Sequence, residues 1–307
     1  MDKKKPLVSI LINCFNGEKY LHEALESVRK QTYTNWELIF WDNQSSDNSA
    51  EIFHKYKDRR MIYHLSDQFT DLGGARAKAS KYIRGDYLAI LDCDDIWFPK
   101  KLQVQLDYLK DPEYGICISN PLYFNSRKSF NLYKKKPPQG NVTKDLIENY
   151  YVVLPSVLIK MEYVNKLNCI FNNEYSHISD FDLIVRVSTL SKLVYCPETL
   201  AGWRIHTQNS SFLESEKFVI EKLKWIRNAR LNDIFKDYQN SINNLDILTK
   251  AEGCNIKRLN TKLKIIEIIK FSGNLRSRIK VYISFFPFLY KLFSLLKKIF
   301  FSIRWRK

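Results

Sequence analysis

Three aspartates stand within four positions at the end of an apolar run. Residues 86–98 read DYLAILDCDDIWF, so Asp92, Asp94 and Asp95 follow a segment with the composition of a buried strand. Carboxylates this close repel one another unless a cation or a positively charged ligand lies between them. Carboxylate oxygens suit Mg²⁺ and Mn²⁺, and such ions commonly also hold the phosphates of a substrate. An Asp-rich turn or a helix N-cap explains an isolated Asp-x-Asp equally well. The other motifs of the chain must therefore decide between a structural turn and a cation site.

Two other polar segments stand next to predicted elements. Asp42 and Asn43 follow the predicted strand at residues 36–41, where an Asp can bond a nucleobase edge or a ribose hydroxyl. Turn chemistry and the cap of the next helix explain this segment better when it is taken alone. Farther along, Arg76 follows Gly73 at the start of a predicted helix, which is a place where a diphosphate can bind. A solvated helix face is about as good an explanation of Arg76.

Candidates for acid–base chemistry lie in the later half of the chain. Asp180 and Asp182 stand at the start of a predicted helix and point to different faces. One can serve as a general base, and the other can interact favourably with the helix dipole. Asp182 can also form an ordinary ion pair with Arg186 one turn later. His206 ends a predicted strand and could complete a metal shell, although a single histidine is more often structural.

The order of the elements predicts the fold class. Apolar runs typical of strands alternate with helical periodicity, and the predicted strands lie at residues 7–12, 36–41, 61–64, 87–91 and 115–119. This alternation indicates right-handed βαβ units and a parallel, Rossmann-like sheet. We therefore predict an α/β catalytic domain at residues 1–215, followed by a helical and basic extension at residues 216–307.

Taken in order, these segments resemble glycosyltransferase family 2, whose members have the GT-A fold. The match spans roughly residues 6–210 and rests on segments in the family's order: VSILINCFNGEKYL from Val8, ALESVRKQTY from Ala24, DNQSSD from Asp42, Arg76 on an Ala-Arg-Asn helix, LDCDD from Leu91 on the Asp-x-Asp motif, Ser179-Asp180 on a Glu-Asp pair, and Arg204-Ile-His206 on an Arg-x-His. Two departures are Asn43 and Ser179, which stand where the family has acids. The first leaves the choice of nucleotide open.

The resemblance implies an inverting transfer of a sugar from a nucleoside-diphosphate donor to a hydroxyl acceptor, with Mg²⁺ or Mn²⁺ as the cofactor. It also implies a role for each matching residue: Phe15 packing beside the nucleoside, Asp42 contacting it, Arg76 assisting at the diphosphate, Asp92 on the ribose or metal side, Asp94 and His206 binding the metal, and Asp180 taking the proton of the acceptor hydroxyl.

The basic character of the chain is concentrated at its C-terminus. The net charge is +16, and residues 256–307 contain fourteen Lys or Arg and a single acid. Residues 281–303 place Lys291, Ser294 and Lys298 on one side of a helix that is otherwise largely apolar. Lysines and Pro287 interrupt this stretch, so we predict an interfacial helix on an anionic membrane surface instead of a span. A helix packed on the protein or on a partner subunit is the alternative.

The cysteines and the tail together suggest a location. Six cysteines without a Cys-x-x-Cys pair indicate reduced thiols, as in a cytosolic protein. We expect an enzyme on the inner face of the cell membrane that acts on a glycan or lipid-linked glycan in surface-polysaccharide synthesis. A nucleic-acid-binding protein is a second class, suggested by the basic and aromatic tail, but no nucleic-acid-binding motif is present. A sugar-nucleotide-binding protein without turnover is a third.

Overall fold

The computed structural model describes residues 5–209 and 213–253, which form two compact units. The first unit contains the chain up to Thr143 and again from Tyr151 to His206. The second contains Lys144–Tyr150 and the described residues from Thr207 onward. The division into a domain at residues 1–215 and a helical region at residues 216–307 stays a prediction, and the proposed tail helix at residues 281–303 lies outside the described residues.

The strands and helices are numbered here in chain order. The strands are β1 (Val8–Cys14), β2 (Trp36–Asp42), β3 (Met61–Leu65), β4 (Tyr87–Ile90), β5 (Ile96–Trp97), β6 (Tyr114–Ser119), β7 (Leu122–Phe124), β8 (Ser129–Asn131), β9 (Val157–Lys160), β10 (Lys192–Cys196) and β11 (Ala201–Arg204). The α-helices are α1 (Glu18–Arg29), α2 (Ser49–His54), α3 (Leu72–Ala79), α4 (Lys101–Tyr108), α5 (Thr143–Glu148), α6 (Met161–Val164), α7 (Ser179–Ser188), α8 (Ser215–Arg230) and α9 (Gln239–Gly253).

A seven-stranded sheet in the order β10-β6-β9-β4-β1-β2-β3 forms the centre of the first unit. Its neighbouring strands run parallel, except that β9 is antiparallel to both β4 and β6. Every residue of β1 and β2 is buried, as expected for near-continuous apolar runs in a sheet that is covered on both faces. The prediction of an α/β fold with a mostly parallel sheet is confirmed.

The main core shows why the sheet is stable. Apolar side chains of β1 and β2 pack with one face of α1 in a single buried cluster, which includes Ile10, Ile12, Leu21, Leu25, Leu38 and Phe40. On α1 the buried positions recur at helical spacing, so the amphipathic sequence turns one face of the helix toward the sheet. This packing fixes the strand ends on which the polar turns stand.

A second, four-stranded sheet in the order β5-β11-β7-β8 connects distant parts of the first unit. Strand β5 begins directly after Asp95, and β11 ends at Arg204, two residues before His206. The two strands pair antiparallel, with Gly202 opposite Ile96. This pairing brings the turn at residues 92–95, here called the aspartate turn, close to His206, although more than one hundred residues separate them along the chain.

The second unit is helical where the structure describes it. The ring centroids of Trp225 on α8 and Phe235 lie 5.2 Å apart. Glu148 accepts hydrogen bonds from Ser241 Oγ at 3.0 Å and from Asn244 Nδ2 at 3.2 Å. Among the helices of residues 5–209 and 213–253, none is long and apolar enough to cross a bilayer.

Candidate active site

The polar turns lie at one edge of the seven-stranded sheet. Strand β1 pairs in parallel with β2 on one side and with β4 on the other, so the carboxyl ends of the three strands are side by side. The turns after them carry Phe15, Asp42 and Asp92, which the sequence placed in one donor site. Ligands of open α/β sheets bind at this edge.

Arg204 forms hydrogen bonds to the aspartate turn after β4. The backbone N–H of Arg204 donates to Asp95 Oδ1 at 2.8 Å, and its Nε donates to the carbonyl oxygen of Asp94 at 2.7 Å. The guanidinium also donates to Glu23 and lies 4.4 Å from the ring centroid of Tyr20. Through these contacts Arg204 fixes the shape of the turn. Arg204 was not predicted as a site residue, although the Arg-x-His spacing was a usable signal.

The two residues predicted to bind a metal lie against each other. His206 Nε2 and Asp94 Oδ2 are hydrogen-bonded at 2.8 Å, and both side chains are partly exposed. The imidazole ring lies 5.3 Å from the ring of Tyr20, which packs beside it. The pair therefore forms a polar contact that solvent or a ligand can reach.

Arg76 joins the aspartate turn to the start of α7. Its side chain is only 4% exposed, and it donates to Asp92 Oδ1 and to Ser179 Oγ, both at 2.8 Å. Helix α3 can approach the segment before α7 this closely because residue 73 is a glycine: an added Cβ there would be 2.2 Å from the carbonyl oxygen of Tyr175. The buried guanidinium of Arg76 therefore holds the side chain of Asp92 in place.

Negative charge accumulates in the aspartate turn. Burial raises the pKa of Asp92, the charges of Asp94 and Asp180 add to the rise, and Arg76 opposes it. Burial, with the charges of Asp94 and Asp92, also raises the pKa of Asp95 well above its usual range. Asp95 Oδ2 is buried without a hydrogen-bond partner among the described residues. The turn is therefore a place where a cation is favourable.

The two aspartates of α7 have different surroundings. Asp182 is buried and pairs with Arg186, whose Nε donates to Asp182 Oδ2 at 2.9 Å, so the predicted ion pair is confirmed. Asp180 is half-buried at the start of the helix, and its charge acts on Asp92. Of the two carboxyls, Asp180 is the more exposed one and the one whose charge acts on the aspartate turn.

The turn after β2 is held by hydrogen bonds within the protein. Asp42 is 1% exposed, and its Oδ1 and Oδ2 accept from Ser45 N at 2.8 Å and from Tyr63 Oη at 2.6 Å. Asn43 donates to the carbonyl oxygen of Thr70 at 2.7 Å and accepts from the Thr70 hydroxyl. Asp42 thus lies beneath the surface, and its geometry favours positioning of this turn over direct contact with a nucleoside.

An exposed aromatic pair stands above this turn. Phe15 and Phe69 are 49% and 58% exposed, and their ring centroids are 4.7 Å apart. Asn43 fastens the loop that carries Phe69 through the bonds to Thr70. Phe69 was missed, because an isolated aromatic residue in a polar loop has no spacing that marks it. The pair offers apolar ring surface at the sheet edge.

The donor set of the aspartate turn fits a divalent cation that is shared with a substrate. No group of three His, Cys, Asp or Glu side chains within the described part of the chain is arranged to surround an ion by itself. Mg²⁺ usually takes only one or two carboxylates from a protein and completes its shell with water and substrate phosphates. The carboxylate of Asp94, the adjacent imidazole of His206 and the excess negative charge match that pattern.

The comparisons with known proteins establish the family. Residues 9–166 match the family model described as Glycosyl transferase family 2, so the chain belongs to this family. One relative is the UDP-Glc:alpha-D-GlcNAc-diphosphoundecaprenol beta-1,3-glucosyltransferase WfgD of Escherichia coli. It is 28% identical over 222 residues, which cover 71% of this chain and 84% of WfgD. The predicted family is confirmed.

Solved structures share the fold. The S. aureus TarS fragment 1–349 in complex with UDP-GlcNAc has a TM-score of 0.63 at 16% identity, covering 86% of this chain and 78% of the fragment. This chain spans about half of the longer TarS structure, at 49%. The mannosyltransferase PcManGT from Pyrobaculum calidifontis, in complex with GDP-Man and Mn²⁺, has a TM-score of 0.61 at 15% identity, covering 90% of this chain and 78% of PcManGT. The predicted GT-A fold is confirmed.

Proposed function

We propose that this glycosyltransferase moves a sugar, with inversion, from a nucleoside-diphosphate donor to a hydroxyl group of a lipid-linked glycan. The observation that carries the proposal is the meeting of Asp92, Asp94 and His206 with the charge of Asp180 at one edge of the sheet. Such a centre needs groups that hold the donor diphosphate through a cation and a base for the acceptor, and Asp94, His206 and Asp180 are proposed for these roles.

The donor is proposed to lie across the ends of β1, β2 and β4. The rings of Phe15 and Phe69 supply a surface for the nucleobase, and Asp42 positions the turn below them. UDP-GlcNAc and GDP-Man are the donors in the TarS and PcManGT complexes, which supports a nucleotide sugar here. Asp92 is oriented by Arg76 toward the ribose or the metal side.

Asp94 and His206 are proposed to hold Mg²⁺ or Mn²⁺ at the diphosphate. When bound, the ion would stabilise the negative charge that develops on the leaving group. The Mn²⁺ in the PcManGT complex supports this cofactor. Arg204 contributes by fixing the backbone of the turn, since it bonds both Asp94 and Asp95.

Asp180 is proposed as the general base. It removes the proton of the acceptor hydroxyl as the oxygen attacks the anomeric carbon, and the bond to the diphosphate breaks on the opposite side. A base must come within about 3 Å of the proton it abstracts in the productive complex. The position at the start of α7, in electrostatic contact with Asp92, supports this assignment.

A lipid-linked acceptor is supported by the relative and by a basic loop. WfgD is a glucosyltransferase for GlcNAc-diphosphoundecaprenol, as its name states. In this chain Lys134, Lys135 and Lys136 form an exposed run, which suits the diphosphate of such an acceptor. We further propose that the enzyme is peripheral on the inner face of the membrane, with the basic tail on anionic lipid.

The direct test is a screen of sugar nucleotides with Mg²⁺ or Mn²⁺, measuring release of the nucleoside diphosphate and then transfer to GlcNAc-diphospholipid acceptors. We expect release that depends on the cation and increases with the right acceptor. Binding of a donor without release or transfer under any of these conditions would favour the non-catalytic alternative. Retention of the configuration at the anomeric carbon would contradict the inverting mechanism.

The membrane proposal has its own test. Sedimentation with anionic liposomes compares the full chain with a truncation after Gly273, and we expect only the full chain to sediment. Equal partitioning of the two would contradict a role for the tail. Steeply salt-dependent binding to DNA or RNA that the truncation removes would instead support the nucleic-acid alternative.

A further inference from the structure

The thiols of Cys14, at the end of β1, and Cys93, in the aspartate turn after β4, lie close together. Strands β1 and β4 are parallel neighbours with Leu11 opposite Ile90, and the N–H of Leu91 continues the ladder to Leu11. Cys14 is the last residue of β1, and Cys93 lies in the turn three residues after the end of β4. The sulfurs of both residues lie beside Gly17.

The spacing of these residues suits a disulfide. Neighbouring strands lie about 4.8 Å apart, and disulfides join Cα atoms that are about 4.4–6.8 Å apart. Both sulfurs also adjoin Gly17, where an added Cβ would lie 2.8 Å from Cys14 Sγ and 3.0 Å from Cys93 Sγ. The two side chains therefore share one small space, in which a bond between the sulfurs can form.

Access differs between the two cysteines. Cys14 is buried at 1% exposure, whereas Cys93 is partly exposed in the aspartate turn. Cys93 is therefore the more accessible of the two residues, and Cys14 lies beside it. In contrast, Cys117 and Cys196 on the adjacent strands β6 and β10 are both fully buried, and the register offsets them by two residues.

We propose that Cys14 and Cys93 are a site of oxidative modification, at which a peroxide-class oxidant forms a disulfide that disables the aspartate turn. In the first step Cys93 Sγ is oxidised to a sulfenic acid, while the peroxide O–O bond breaks and water leaves. The sulfur of Cys14 then attacks Cys93 Sγ, the S–S bond forms, the S–O bond breaks, and a second water carries away the thiol proton. A thiol reductant reverses the modification.

The functional consequence follows from the position of Cys93. It lies between Asp92 and Asp94, so a bond that draws its sulfur toward β1 displaces the carboxylates on both sides. Asp94 would then no longer be held against His206 as in the reduced structure. The site of modification stands without the proposed function, and only the predicted loss of metal and donor binding rests on it.

Peptide mapping under non-reducing conditions tests the site directly. The full chain is treated with hydrogen peroxide, and we expect one cross-linked peptide that joins Cys14 to Cys93 and disappears with reductant. Cys93→Ser should not form it, and the exposed-thiol control Cys169→Ser should form it as the wild type does. Consumption of both thiols without this cross-link, or pairing of Cys93 with another cysteine, would overturn the proposal.

A second measurement separates this proposal from the proposed function. Mn²⁺ binding in the presence of a nucleoside diphosphate is measured before and after oxidation, and we expect loss of binding in the wild type and in Cys169→Ser, with recovery after reduction. Cys93→Ser should keep its binding after peroxide. If Cys93→Ser fails to fold, Cys14→Ala gives the same comparison. A mapped disulfide in a protein that does not bind Mn²⁺ even when reduced would contradict the metal assignment, but it would still support the modification site. Unchanged Mn²⁺ binding in the cross-linked protein would overturn the proposal that the disulfide disables the aspartate turn.

Discussion

The turns after β2 and β4 look alike in sequence and differ in structure. Both follow buried parallel strands that flank β1, and both are rich in aspartate. After β2, the carboxylate of Asp42 is bonded on both oxygens and almost fully buried. After β4, Asp92 and Asp94 are partly exposed, and Asp95 keeps one oxygen without a partner among the described residues.

The difference lies in how the hydrogen-bonding capacity of the acids is satisfied. A buried carboxylate is stable when donors satisfy it, and the donors after β2 are a backbone N–H and a tyrosine. After β4, burial raises the pKa of both Asp92 and Asp95, and the neighbouring carboxylates add to the rise. Crowded carboxyl groups next to open surface are ones that a bound cation can keep ionised.

The largest effect should come from removing the exposed carboxylate of the second turn. We expect Asp94→Ala to abolish turnover while the fold persists, because the side chain is partly exposed and bonds only at the surface of the turn. Chelation of divalent cations should have the same effect on the wild type. Nucleoside diphosphate release and far-UV circular dichroism check both points, and near-normal release with chelator present would contradict a metal role.

A smaller but still large effect is expected at the base. Asp180→Asn should keep donor binding and lower transfer by ~10²–10⁴-fold, the usual contribution of general base catalysis. Asp182→Asn is the matched control on the same helix, and it should lower stability because Arg186 loses its buried partner. Single-turnover transfer and thermal unfolding separate the two effects. A folded, inactive Asp182→Asn beside an active Asp180→Asn would reverse the assignment.

In the turn after β2 the effect should be modest. Asp42→Asn replaces one acceptor by a donor, so we expect a loss of about 1–3 kcal/mol in the free energy of unfolding and a weaker affinity for the donor. Tyr63→Phe removes the other end of the same hydrogen bond and should shift donor affinity in the same direction. A change in affinity in Asp42→Asn alone, measured by calorimetry with nucleotide sugars, would indicate direct contact between Asp42 and the nucleoside.

The sequence predicted those elements and contacts that depend on residues close together along the chain. Continuous apolar runs predicted β1 and β2, and the i,i+4 spacing predicted the pair of Asp182 and Arg186. It could not show that Arg76 points inward to Asp92, because this contact depends on how α3 packs at Gly73 against the segment before α7.

The sequence pattern could not predict the role of Arg204 or the exposure of Phe69, because both depend on how distant elements pack. Each depends on partners that are distant along the chain: Arg204 bonds Asp94 and Asp95, which precede it by about one hundred residues, and Phe69 stands against Phe15. Periodicity and spacing report on neighbours within an element. They say little about which polar groups are satisfied after distant elements have packed.

The smallest effect on activity is expected at a cation that stands apart from both turns. Lys101 on α4 is completely buried, and its Nζ donates to the carbonyl oxygen of Val157 at 3.0 Å and lies 4.2 Å from the ring centroid of Trp97. Burial lowers its pKa to about 7. It therefore does not balance the charge of the aspartate turn, and we expect Lys101→Met to leave Mn²⁺ binding unchanged.

The pH dependence of stability should reveal this buried lysine. Between about pH 7 and the ordinary lysine value of about 10.4, the unfolded chain holds a proton that folded Lys101 has released. The free energy of unfolding of the wild type should therefore rise with pH across this window, by at most about 1.4 kcal/mol per pH unit. Lys101→Met should show a flatter profile in denaturant titrations, whereas the exposed neighbour Lys100→Met should follow the wild type. A wild-type profile as flat as that of Lys101→Met would show that folded Lys101 keeps its proton across this window, which would contradict the lowered pKa.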